Sequence, residues 1–168
     1  MALTADYQQL LRGWLKGHEQ AQACIETLFE IVHVCDDLTD RDAVLTTARM
    51  QQAFQLALIE LPRNPFYVTH FALLNGALQV AYLNWQIANR MEVSMSPTAL
   101  PLAFVLRSSY TDLITLCAAI LGGTEWAIQV GYESRLHASQ EGLEQYTVNL
   151  RRERRQTNCM EVPDGLHE

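Results

Sequence analysis

The chain has 168 residues, 49% of them hydrophobic, and a formal net charge of −7. That length suits one domain able to bury a core without disulfides or metal. The acidic balance argues against nucleic acid as a partner, because phosphate backbones are gripped by basic footprints.

The first predicted helix runs from about Asp6 to Cys35. Leu10, Trp14, Ala21, Ile25, Leu28, Val32 and Cys35 form its apolar stripe, in steps of three, four or seven. Gly13 and Gly17 weaken its first half and invite a kink. A second helix starts after Asp42 or Thr46, either of which suits a cap. Met50, Phe54, Ala57, Leu58 and Leu61 would form its buried face, and Pro62 would stop it. Asn64-Pro65 opens a third helix, with a capping Asn and Pro at the first helical position. It reaches about Met91 and is apolar nearly all round, which marks it as the centre of the bundle. Ser96-Pro97 and Pro101 introduce a fourth helix, and Gly122-Gly123 ends it. Thr124 caps a fifth, which carries Trp126, Val130, Leu136, Leu143, Tyr146 and Leu150.

The expected fold is therefore all-α: a single-domain antiparallel bundle of about five helices around a hydrophobic central helix. The bundle would span 1–157, and 158–168 would be a mobile tail. No charged-then-apolar leader opens the chain. No apolar run reaches the ~20 residues that cross a bilayer. These readings predict a cytoplasmic protein without a membrane span. None of the cysteines forms a C-x-x-C pair, and Cys24, Cys35 and Cys117 read as small buried hydrophobes in a reducing compartment.

The chemical lead lies on the first helix. At about 100° per residue, Glu19, Glu26, Glu30, His33, Asp37 and Asp40 share one face. Glu30-x-x-His33 has the spacing that lets a carboxylate and an imidazole share a metal in helical bundles. With Asp36, Asp37 and Asp40, the oxygen ligands would suit Mg²⁺, Mn²⁺ or Ca²⁺. Asp36-Asp37-Leu38-Thr39-Asp40 resembles the D-D-x-x-D motif of class I terpenoid synthases and prenyl-diphosphate synthases, which are all-helical. That resemblance implies Mg²⁺ held on a substrate diphosphate. The chain is short for such a fold, and Ala119 stands where a second metal motif begun by Asp112 would need glutamate. The acids also lie opposite the apolar stripe through Cys24, Leu28, Ile31, Val32 and Cys35, as a solvated face would.

Three polar residues sit in apolar surroundings. His70 and Asn84 share a face with Ala77, Ala81 and Ala88, and Asp112 is flanked by Leu113, Ile114, Leu116 and Cys117. They read either as a hydrogen-bonded core network or as a small polar pocket. A buried Asp112 needs a counterpart, with Arg107, His70, Arg90 or a metal as candidates. The basic run Arg151, Arg152, Arg154 and Arg155 complements a helix dipole, offers a patch to an acidic partner, or binds nucleic acid locally.

The stretches Cys35 to Asp42, Leu61 to Tyr67 and Leu106 to Tyr110 resemble small uncharacterised helical proteins of phage and prophage genomes. That resemblance implies an accessory or assembly role and supplies no catalytic residues. Two functions stay open. One is a non-catalytic interaction or assembly protein with a protein partner or a second copy of itself. Its basis is surplus apolar and aromatic residues (Trp14, Trp85 and Trp126 among them), an acidic outer face and a basic last helix. The other is a divalent-metal enzyme acting on a phosphate or diphosphate compound through Glu30, His33, Asp36, Asp37 and Asp40.

Overall fold

The computed structural model describes residues 4–40 and 46–160, and side chains within these except at 40 and 154–160. The segment 161–168, most of the expected tail, lies outside the described residues.

The described residues form an all-α single domain with more helices than the expected five, because the chain breaks at points that periodicity does not mark. Thr4 caps α1 (Ala5–Trp14) by accepting from the Tyr7 amide at 3.3 Å. The kink expected near Gly17 is a full break: Lys16 and Gly17 both take positive φ, at 53° and 71°. Next comes α2 (Glu19–Asp40). Thr46 is the cap of α3 (Thr47–Gln55), accepting from the Arg49 amide at 3.3 Å. A π-helical turn over Leu56–Glu60 then leads into α4 (Leu61–Arg63). The π turn inserts residues into the helical register, so the expected apolar face does not bury as one. Leu61 is buried, but Phe54 and Leu58 face solvent.

Asn64 caps α5 (Pro65–Thr69) through the Tyr67 amide at 3.0 Å, as its sequence predicts. His70 (φ −111°, ψ 21°) separates α5 from α6 (Phe71–Ser94). Met95, in the left-handed region, ends α6. After α7 (Ala99–Arg107), α8 (Tyr110–Ala138) and α9 (Gly142–Met160) complete the domain.

Inside α8, Gly123 has φ 80° and ψ −177°, a conformation open essentially to glycine alone. The helical path reverses there. A Cβ on Gly131 would lie 3.0 Å from Thr115 Oγ1, and Arg135 bonds Asp112, so arms 110–122 and 124–138 lie antiparallel. This matches the helix end and restart expected at Gly122-Gly123-Thr124. By length and composition α8 is the one helix among the described residues apolar enough to cross a membrane, on the strength of an 18-residue window with mean hydropathy 1.5. Folded as a hairpin, each arm is only about 20 Å long, short of a ~30 Å hydrocarbon core.

The core forms between α1, α2 and both arms of α8. Leu11, Leu15, Cys24, Ile25, Ile114, Cys117 and Val130 are among its most enclosed side chains, together with Leu74 from the inner side of α6. Two indoles brace it: Trp14 Nε1 donates to Glu133 at 2.8 Å, and Trp126 Nε1 donates to the Trp14 carbonyl at 2.8 Å. Burial pushes the Cys24 thiol up to about 12 and raises Cys117 as well, so both are inert packing groups. Cys35, expected inside, is exposed.

The expected central helix is not central. Of α6, only Leu74, Ala88 and Glu92 are buried. One side of α6 covers the bundle, and its opposite side, equally apolar, has no neighbour within the described residues. An all-round apolar helix shows that two faces avoid water, but not that both are covered by the same chain.

Candidate functional site

The acidic stripe divides among separate partners. Glu26 accepts from Gln22 Nε2 at 2.9 Å. Glu30 stays partly exposed. His33 turns Nδ1 back to the Phe29 carbonyl, 2.8 Å away on its own helix. Asp37 pairs with Arg49 at 3.4 Å, with about a third of each side chain exposed. Asp36 turns the other way, to Trp85 and Arg107, while the side chain of Asp40 lies outside the described residues. Among the described residues no group of three or more His, Cys, Asp or Glu converges to hold a metal. The expected Mg²⁺, Mn²⁺ or Ca²⁺ site is therefore corrected. Glu26, Asp36 and Asp37 each have a separate basic or N–H partner, and none of those partners is shared among them.

The three polar residues expected to form a network or pocket also separate. His70 sits at the α5–α6 joint with its ring 4.8 Å from that of Phe66. Asn84 donates to Ser109 Oγ at 3.0 Å. Asp112 pairs with Arg135 across the α8 hairpin, with side chains 46% and 43% exposed, so it is not the buried carboxylate expected. Its partner is none of the three residues expected. Of the basic run on α9, Arg151 and Arg152 are exposed, and Arg154 and Arg155 fall outside the described side chains.

The structure instead assembles a polar hub around Arg107 at the end of α7. Its guanidinium meets Glu92 of α6 edge-on, with Nε to Oε1 at 2.5 Å and Nη2 to Oε2 at 2.7 Å. Nη1 reaches Asp36 of α2 at 3.1 Å, and the same Asp36 oxygen accepts from Trp85 Nε1 at 3.1 Å. Tyr146 of α9 donates its hydroxyl to Glu92. Burial, then the Glu92 carboxylate, raise the Tyr146 phenol so that it stays protonated. One signal pointed to this hub: Glu92 is the only acidic residue between Glu60 and Asp112. An isolated carboxylate in so apolar a stretch needs a basic counterpart.

Two clefts meet at the hub and share Val32, Trp85, Arg107 and Tyr110. One, about 640 Å³, is walled mainly by apolar side chains of α2, α6 and α8, among them Leu28, Ile31, Leu78 and Leu113. The other, about 410 Å³, adds Tyr7, His33, Asp36 and His137. Arg107 is committed to two carboxylates, so the hub ties α2, α6, α7 and α9 together rather than offering a cationic ligand site.

The outer face of α6 is the other unusual feature. Leu73, Gly76, Val80, Leu83 and Ile87 follow one another at spacings of three, four, three and four. That is the a/d repeat of a helix seam, and in projection these five fall within about 80° of arc. The four large side chains remain between 43% and 57% exposed. The other outward positions include Ala72 and Gln86, and the only charge among the exposed residues of α6 is Arg90. Sequence reading had credited this apolarity to the core. Comparison with protein-family models, with curated proteins and with solved structures found no match.

Proposed function

We propose that this chain is a non-catalytic helical interaction or assembly protein that pairs the outer face of α6 with a helix of another polypeptide. The observation that supports it is the uninterrupted a/d seam left in solvent. An exposed apolar stripe on an all-α domain costs solubility unless it is covered in use. Its spacing fits a partner helix, whose side chains would enter the holes between Leu73, Val80, Leu83 and Ile87. The resemblance of the Asp36, Pro62 and Arg107 segments to small phage and prophage proteins agrees with an accessory or assembly role.

A photo-crosslinking residue placed at Val80, compared with one at exposed Gln9 on α1, tests the reading in living cells. A discrete protein adduct at position 80 and none at position 9 is expected. Equal labelling at both positions, or none at 80, would refute it.

A further inference from the structure

The α6 seam also carries information about what covers it, provided that the interaction reading above holds. We infer that the occupant is a second copy of this chain, with the two α6 helices antiparallel and Gly76 of one opposite Ile87 of the other.

Three observations favour this arrangement. The first is shape. Antiparallel pairing sets a positions against d positions, and one register sets Gly76 against Ile87 and Val80 against Leu83. The missing side chain of Gly76 then receives the bulk of Ile87, Val80 meets Leu83, and Leu73 at each end lies beside Arg90 of the other copy, where it can pack on the aliphatic stem of that side chain. A Cβ built on Gly76 meets nothing within 4 Å, so the space above it is open in a single copy. The second is position. This register is centred between Ala81 and Tyr82, within a residue or so of the midpoint of α6 (Phe71–Ser94), so the two helices overlap along nearly their whole length. The third is charge. The chain carries −7 overall, which opposes self-association, yet the one acid of α6, Glu92, is buried and paired. Arg90, the only exposed charge on α6, falls at opposite ends of an antiparallel pair. A parallel pair would set Arg90 against Arg90 and Gly76 against Gly76, giving like-charge repulsion at one layer and a void at another.

The test uses the full chain with Cys35→Ser and Cys159→Ser, to which Gly76→Cys or Ile87→Cys is added singly. In the inferred register the axial offset between Gly76 and its own equivalent is about 16 Å, and that for Ile87 is the same. Neither variant alone can form a disulfide across the axis, whereas a mixture brings residues 76 and 87 opposite one another. Oxidation of the mixture should give a covalent dimer, and each variant alone should stay largely uncrosslinked. Sedimentation of the parent should show a concentration-dependent dimer that Val80→Glu with Leu83→Glu abolishes, while the far-UV circular-dichroism melt is retained.

Crosslinking of a single variant with itself would show a parallel seam and overturn the inference. So would a parent that stays monomeric at every loading. If that monomer still gives an adduct of foreign mass from position 80, the interaction reading stands and only the second copy falls. If position 80 gives no adduct, both fall.

Discussion

Replacing Glu92 with Ala removes the acceptor that holds two N–H groups of Arg107, at 2.5 and 2.7 Å, and the hydroxyl of Tyr146. The Glu92 side chain is 7% exposed and that of Arg107 is 24% exposed, so little water can take its place. Removing one member of a buried pair costs about 3–5 kcal/mol, chiefly because the other charge is left buried. Arg107 keeps its bond to Asp36 at 3.1 Å, which directs the expectation to the lower end, about 3 kcal/mol. With a urea dependence of about 1–3 kcal/mol per molar, the midpoint should fall by roughly 1–3 M. Far-UV circular dichroism and tryptophan fluorescence should report the same transition. Glu92→Met combined with Arg107→Met should recover most of the loss, because two apolar groups of similar volume leave no buried charge unpaired, and Asp36, 39% exposed, keeps solvent and its bond from Trp85. An unchanged midpoint for Glu92→Ala, or a double variant weaker than the single one, would show that the hub does not clamp these helices.

Ile114→Ala, at a fully enclosed core position, should cost about 2–5 kcal/mol in the same denaturation assay; a loss below 1 would misplace the core. Asp112→Ala should cost only about 0.2–1 kcal/mol, since both members of its ion pair are nearly half exposed, and added salt should shrink the difference further. Alkaline pH should destabilise the fold through Cys24, whose thiol rises from 9.0 to about 12 on burial. The folded chain keeps that proton while the unfolded chain loses it. The stabilisation is therefore whole below pH 9 and declines toward pH 12, by up to about 1.4 kcal/mol per unit. Cys24→Ala should flatten the pH dependence of the urea midpoint over that window, and an unaltered slope would exclude this thiol as a contributor.

What the sequence made legible was local. Thr46, Asn64-Pro65 and Gly122-Gly123 act within three or four residues, through cap bonds and a glycine-only turn, so their composition was enough to place them. The breaks at His70 and Ser108 carry no comparable local signal. Asp112 misled because neighbours in a helical sequence are not neighbours in space. Leu113, Ile114 and Cys117 are buried, while Asp112 on the same arm points to Arg135. Periodicity marked α6 as apolar on every side, yet it cannot say whether each side is met by this chain or by another. The hub was illegible for a similar reason. Arg107 lies 15 residues from Glu92 and 71 from Asp36, and only the tertiary arrangement that sets α2 and α6 around one cleft with Arg107 at its edge decides that they meet.

The reversal at Gly123 bears on how the chain reaches its native state. Thr115 with Gly131 and Asp112 with Arg135 close loops of only 16 and 23 residues, so the α8 arms can meet at small entropic expense. Such short-range contacts form early in helical proteins. The docking of α1, whose Trp14 must find Glu133 across 119 residues, then adds to a surface already in place. A hairpin at the heart of the transition state would make Gly123→Ala slow refolding in stopped-flow experiments, with much of its equilibrium cost appearing in the folding rate. Loss of Trp14 packing would instead appear mainly as faster unfolding. The nucleus would then be the reversal in the last third of the chain, with the N-terminal helices arriving afterwards.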